Sequence, residues 1–203
     1  MDAFPAFFPL LGATVVVAGE GAMADAKARL FAGSPAKVER VTGEAATQAS
    51  SYVGAKLAFV AGDDPNFRRA AAAAARAAGV PVNVVDDPAL CDFHTPAVID
   101  RGPVVVAVGT GGASPLLAAV IRDALEGHLP PGVEVLVALL GRRRGEIRAA
   151  FPDIPLRRAF LSALIHGPAG QAALAGETDP AERALDTALA AALGGAAPSP
   201  REQ

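Results

Sequence analysis

Two adjacent carboxylates, Asp86 and Asp87, follow the apolar run Val80–Val85 and precede Pro88. A second apolar run, Val104–Val108, ends in Gly109-Thr110-Gly111-Gly112-Ala113-Ser114-Pro115. Ligands of open α/β sheets bind beyond the carboxyl ends of the strands, so both tails nominate site residues. Asp87, next to proline, suits a turn, which leaves Asp86 to face a cleft. Burial or a neighbouring carboxylate raises a carboxyl pKa there and makes the group a proton acceptor. Asn83 lies on the same strand-like run, and His94 follows Asp86 closely. A lone loop histidine is more often a surface residue than a ligand. Thr110, Gly111 and Gly112 offer unhindered backbone N–H groups, an anion nest ahead of a helix. A flexible connection explains those glycines equally well.

A third chemical signal lies near the amino terminus. Val15-Val16-Val17-Ala18-Gly19-Glu20-Gly21-Ala22-Met23-Ala24 places G-x-G-x-x-A between a strand and a helix. Gly19 permits the tight turn, Gly21 lets backbone approach a pyrophosphate, and Ala24 allows close packing. In that context the motif favours dinucleotide binding over a bare strand–helix turn. Glu20 sets a carboxylate beside the expected phosphates, an unfavourable neighbour unless it points away. About 20 residues on stand Glu39, suited to a ribose hydroxyl, and Arg40, suited to a 2′-phosphate. The residues therefore leave NAD and NADP both open. Gly62-Asp63-Asp64-Pro65 ends another strand. A capped helix start accounts for Asp64 and Pro65 but less well for Gly62 and Asp63.

These residues need a frame of alternating elements. Strands are expected at Thr14–Ala18, Lys37–Val41, Lys56–Ala61, Val80–Val85 and Val104–Val108. Helices are expected over 22–32, from Pro65 to the stop at Gly79, and from Pro115 to about His128. Residues 43–51 read as one weak helix or a loop. The pattern predicts a mostly parallel, three-layer α/β sheet of Rossmann type. Pro130-Pro131-Gly132 reads as a hinge, and Val133–Leu140 fits helix or strand. Arg142-Arg143-Arg144 forms a basic cluster, helices are expected over 157–165 and 179–193, and residues 194–203 read as a frayed tail. The second part looks α-rich and too small for a large core of its own.

Bulk properties narrow the function. A net charge of −3, no Trp and one Tyr argue against a nucleic-acid partner. One cysteine, Cys91, allows no internal disulfide and fits a reducing, cytoplasmic setting. No metal-ligand spacing or nucleophile signature occurs, so no resident metal is expected. The first residues, MDAFPAFFPLLG, read as neither a signal peptide nor a membrane span.

Several blocks in order resemble a known family. FPAFFPLLGATVVVAGEGAMADAKARL, GDDPN, NVVDDPALCDF, PAVIDRGPVVVAV and GTGGASP are similar to the siroheme-synthase N-terminal module. The likeness is strongest over 80–130 and thinner beyond 140. It implies a Rossmann-like domain at 1–112, a dimerisation region at 113–145 and a small helical region at 146–203. It also implies a homodimer. The implied activity is NAD-dependent oxidation of precorrin-2 to sirohydrochlorin, in some members with insertion of iron as a substrate. Asp86 matches the family's key aspartate. Gly19, Glu20, Gly21, Ala22, Met23, Glu39, Gly62 and Asp63 fall on the cofactor side. Asn83, Thr110, Gly111, Gly112, His94 and Arg101 fall on the tetrapyrrole side, where Arg142, Arg143 and Arg144 are further electrostatic partners for substrate carboxylates. Four departures touch the dinucleotide half: Glu20 for glycine, Ala26 for arginine, Gly62 for threonine, and a short 41–56 segment. They keep open an alternative, an NAD-independent chelatase or tetrapyrrole binder with a weakened dinucleotide site. A regulatory module without chemistry fits the retained Asp86 less well.

Overall fold

A computed structural model describes residues 3–194, so most of the expected tail lies outside the described residues. Four strands, β1 (Thr14–Ala18), β2 (Lys37–Val41), β3 (Leu57–Val60) and β4 (Val82–Val84), form a parallel sheet in the order β2-β1-β3-β4. In register, Val16 of β1 meets Glu39 of β2 and Ala58 of β3. The central strands are buried on both faces, as their unbroken apolar runs require. On one face α1 (Gly21–Arg29) packs with Val15, Val17 and Phe59. On the other, α2 (Pro65–Ala77) sets Ala71, Ala72 and Ala75 among Val16, Val60 and Val82. Small alanines let that helix lie close to the sheet. The expected three-layer Rossmann-like fold is present.

Helix α2 begins as its sequence dictates. The Asp64 side chain accepts a hydrogen bond from the Asn66 N–H at 2.8 Å, and Pro65 occupies the first turn. Helix α1 stops at Arg29, earlier than expected, and Leu30, Phe31 and Ala32 continue as tight turns. The 43–52 segment forms two 3-10 turns, Gly43–Thr47 and Ala49–Tyr52, which bury Ala46 and Tyr52 against α2.

Val104–Val108 is not a fifth strand of the parallel sheet. As β6 it pairs antiparallel with β5 (Ala97–Arg101) in a separate hairpin. Gly102 turns the chain at φ +63° and donates its N–H to the Asp100 carboxylate at 3.0 Å. Burial alternates along β6, which marks a sheet with one covered face. An all-apolar run hides that alternation.

The chain divides into two compact units, 1–96 with 109–117, and 97–108 with 118–203. Helix α4 (Val133–Ala150) lies in the second unit and runs through residue 145. In the second unit α4, α5 (Ile154–His166), α6 (Pro168–Leu174) and α7 (Thr178–Gly194) enclose Leu136, Leu139, Leu164, Leu185 and Leu189. This unit therefore has its own core, contrary to the expectation from its size. Nor is Gly132 a hinge. Its N–H donates to Leu174 at 3.0 Å, and a Cβ there would lie 2.1 Å from the Ala173 carbonyl oxygen. No described helix is long and apolar enough to cross a membrane.

Candidate functional site

The carboxyl ends of β1, β3 and β4 carry the glycine turn, the Gly62 loop and Asp86. Gly19 is buried at φ +113°, where a Cβ would sit 1.7 Å from the Ala61 carbonyl oxygen. It is required by the close approach of β1 and β3. Gly21 has φ +76° and nothing within 4 Å of a notional Cβ, so no protein group fills the place a pyrophosphate would take. Ala22 is exposed, Met23 is half-buried against the α1 core, and Glu20 is exposed with no cap bond to the helix. The residues present thus fit a dinucleotide phosphate, with the Glu20 carboxylate outside the helix's own bonding.

The two candidates at the end of β2 part company. Glu39 pairs with Lys37 at 2.6 Å. Arg40, one residue on and on the opposite face, reaches the glycine turn. Its Nη1 donates to Asp25 at 2.8 Å and its Nη2 to the Gly19 carbonyl at 3.0 Å. At the next loop Gly62 is half-buried and Asp63 exposed. Arg68 donates to both carbonyls, at 2.9 and 3.2 Å.

Asp86 is the one non-glycine residue with positive φ among the described residues, at +57°. It is exposed and has no hydrogen bond or ion pair among them. Asp87 does: its carboxylate lies 3.9 Å from Arg68 Nε. The Asp87 side chain does not cap the turn that begins at Pro88, as its place before proline suggested; it approaches Arg68 instead. The segment after Asp86 is tied down from both sides. Cys91 Sγ accepts from the Val84 N–H and donates to the Val84 carbonyl, both at 3.2 Å. The Asp92 carboxylate accepts from Arg76 Nε at 2.9 Å and from the Val82 N–H at 3.0 Å. Burial works against the Asp92 charge, yet the Arg76 and Val82 bonds outweigh it and hold the carboxyl below its ordinary range. Asn83 is buried and its amide donates to the Phe93 carbonyl at 2.9 Å, so that nitrogen holds the loop. His94 is exposed.

Lys27 of α1 was not picked out in the sequence. Its Nζ lies 5.8 Å from the Phe59 ring centroid. Burial pushes its ammonium below the usual pKa, partly offset by the nearby Asp86 carboxylate. A lysine in a basic, alanine-rich helix gives no sign that it turns inward. Arg68, Arg76 and Asp92 were missed for the same reason, since their partners are 16 or more residues away or are backbone groups.

In the glycine-rich loop, Thr110 Oγ1 donates to the Ser114 carbonyl at 3.0 Å and accepts from the Ser114 N–H at 3.2 Å. Gly111 and Gly112 have φ of +62° and +81°. The Leu117 N–H is capped by Ser114 Oγ, which starts α3 (Pro115–Glu126). Arg101 belongs to the other unit and lies 3.9 Å from Glu126. Arg142 and Arg143 do not stand free for a substrate. They pair with Glu182 and with Glu146 and Asp186, because α4 packs beside α7. Arg144 lines a groove with Arg148 and Arg157. No three His, Cys, Asp or Glu side chains gather as metal ligands among the described residues.

Residues 6–97 match a family described as putative NAD(P)-binding, and residues 132–189 match the sirohaem synthase dimerisation region. The siroheme synthase of Pseudomonas putida (strain W619) is 40% identical over 203 residues, covering 91% of this chain and 44% of that protein. Siroheme synthases of Gluconacetobacter diazotrophicus and Methylococcus capsulatus are 37% and 39% identical, covering 95% of this chain each and 46% and 44% of their own length. The chain thus spans about half the length of the curated relatives it matches. A solved structure described as SirC, precorrin-2 dehydrogenase shares the fold, with a TM-score of 0.69, 17% identity, and coverage of 91% of this chain and 100% of that one.

Proposed function

We propose that this chain, whose residues 6–97 match a putative NAD(P)-binding family and residues 132–189 the sirohaem synthase dimerisation region, oxidises precorrin-2 to sirohydrochlorin with a nicotinamide dinucleotide. The observation that carries this reading is Asp86, an unpaired aspartate in the left-handed region at the carboxyl end of a sheet strand. Strained backbone of that kind costs about 1–3 kcal/mol and persists where the surroundings over-determine it. Here Cys91 and Asp92 supply that determination from the loop that follows, and Asn83 from strand β4.

A bound nicotinamide dinucleotide would supply the acceptor for a hydride from the macrocycle. Gly19 and Gly21 bring backbone N–H groups at the start of α1 to its phosphates. Asp86 takes up the proton that leaves with the hydride, so substrate loses two hydrogens and the macrocycle gains one double bond. Thr110, Gly111, Gly112 and His94 are the proposed contacts to the carboxylated rim, while Asn83 serves by holding the Asp86 loop. The matched dimerisation region supports a homodimer. Iron insertion by the same site is the finer reading, with Asp86 again accepting pyrrole protons.

Anaerobic incubation of the purified chain with precorrin-2 and NAD+ or NADP+, followed in the visible spectrum, tests the reading. Sirohydrochlorin is expected to form at a rate that depends on the dinucleotide. Absence of turnover and of dinucleotide binding at millimolar concentration would overturn it. Iron added to sirohydrochlorin without dinucleotide tests insertion separately.

A further inference from the structure

We propose that Arg68 is a positioning residue for Asp86, acting through the Asp87 carboxylate; the inference rests on the dehydrogenase reading above. Asp86 is the third residue of a four-residue turn, 84–87, closed by the Asp87 N–H, which donates to the Val84 carbonyl at 3.4 Å. A positive φ at that place suits glycine or asparagine, and Asp86 holds it at +57°. Such a conformation persists only while its surroundings fix it from both ends. The Val84 end belongs to β4 and is clipped by Cys91 Sγ. At the Asp87 end the carbonyl is bonded from within its own loop, by the Leu90 N–H at 3.1 Å and Cys91 Sγ at 3.4 Å. The Asp87 carboxylate instead reaches a different element, with Arg68 Nε of α2 at 3.9 Å.

Arg68 is itself anchored. It stands in the first turn of α2, and its Nη1 donates to the Gly62 and Asp63 carbonyls at 2.9 and 3.2 Å. Its neighbour Arg69 bonds within the helix, to Asn66 at 2.7 Å. The Arg68 Nε is buried without a hydrogen-bond partner among the described residues. A buried guanidinium N–H lacking an acceptor is costly, and Asp87 supplies a carboxylate within ion-pair reach of it. The two side chains are 18% and 27% exposed, so solvent and salt screen their attraction less than that of a surface pair. At 3.9 Å the contact is coulombic rather than a hydrogen bond. A lysine ammonium can therefore replace it in part. The guanidinium thus joins the loop after β3 to the turn after β4, and with that turn the place where Asp86 stands.

Steady-state kinetics of the full chain with precorrin-2 and NAD+ or NADP+ test the role. Asp87→Asn keeps the side chain's shape and leaves the Arg68 bonds to the β3 loop in place. Its kcat is expected to fall about tenfold to a hundredfold, the cost of a misplacement of about 1 Å. The KM for precorrin-2 and the dinucleotide dissociation constant should hold. Arg68→Met should lose the same factor in kcat, and Arg68→Lys should recover part of it. The double variant Arg68→Met/Asp87→Asn should be no slower than the slower single, since both changes break one contact. In an Asp86→Asn background, Asp87→Asn should leave the residual rate unchanged, because the pair works through the Asp86 carboxylate. Melting followed by circular dichroism separates loss of fold from loss of position, and Asp87→Asn decides alone if Arg68→Met does not fold. A wild-type kcat in Asp87→Asn, losses that multiply in the double variant, a lysine no better than methionine, or a further fall in the Asp86→Asn background would overturn the assignment while leaving the dehydrogenase reading intact. Absence of turnover in the wild type would overturn that reading, and this inference with it.

Discussion

Asp86 carries two separable properties, a carboxylate and a left-handed backbone. Asparagine tolerates that backbone nearly as well as aspartate does, so Asp86→Asn removes proton acceptance and little else. Turnover is expected to fall by about 10²–10⁴, the usual worth of a general base, with an unchanged melting temperature. Near-normal rates in that variant would take Asp86 out of the mechanism. Asp86→Gly relieves the backbone, and its melting midpoint should rise by an amount matching about 1 kcal/mol. A lower midpoint would mean the φ value carries no strain. The sequence singled out Asp86 on the expectation that its proline-bound neighbour caps the turn, yet the Asp87 side chain makes no cap bond. It could not reveal that Asp87 meets Arg68, because nothing in a helix start announces which later loop an arginine will reach. Arg142 and Arg143 illustrate the converse. A basic cluster looked available to an anionic substrate, but long-range packing had already supplied its carboxylates.

Single elements carry constraints that point substitutions expose. Gly19→Ala would drive a Cβ into the Ala61 carbonyl, 1.7 Å away. That oxygen lies on backbone just beyond β3, so β1 and β3 cannot both keep their register. The variant is expected to be insoluble or unfolded by circular dichroism, and a soluble protein with native melting would refute the close approach. The short 43–52 segment is anchored by Tyr52, whose buried hydroxyl donates to Ala46 at 2.6 Å. Burial pushes that phenol up to about 12. Its folded pKa exceeds the unfolded value of about 10, so the stability it contributes is complete below about pH 10 and is lost as pH rises toward 12. Tyr52→Phe should cost about 1 kcal/mol at neutral pH. Urea titrations across the alkaline range should show the wild type losing this increment while the variant does not. Parallel curves would contradict it. Elements with local signals were the legible ones: the Asp64-Pro65 cap of α2 and the Ser114-Pro115 cap of α3 both stand where the residues demand. The β5–β6 hairpin was hidden because Val104–Val108 reads as apolar throughout, and its partner PAVIDR carries charges that do not announce a strand.

At the scale of the whole molecule, two units meet different demands. The first presents strand ends to a ligand, and the second is helical with a core of its own. Its size suggested dependence on a neighbour, but small residues at α6, with Gly170 a Cβ's width from the Ile165 carbonyl, let four helices close on themselves. The self-contained core makes one feature of that unit harder to account for within a single chain. On α3, Val120, Ile121 and Leu125 are exposed, Val120 by 57%. Apolar side chains contiguous on one helix face mark a surface that another protein covers; α3 precedes residues 132–189, which match a dimerisation region, and a second copy of this chain is the occupant we propose. Sedimentation velocity should therefore give a dimer at micromolar concentration. Two glutamates on that face place like charges opposite each other across a two-fold axis, because the same patch serves both partners. Val120→Glu/Ile121→Glu should sediment as a monomer, with the helical circular dichroism of the second unit retained because its core residues are untouched. A dimer that survives both glutamates would move the interface off α3. A wild type that sediments as a monomer would remove the homodimer altogether.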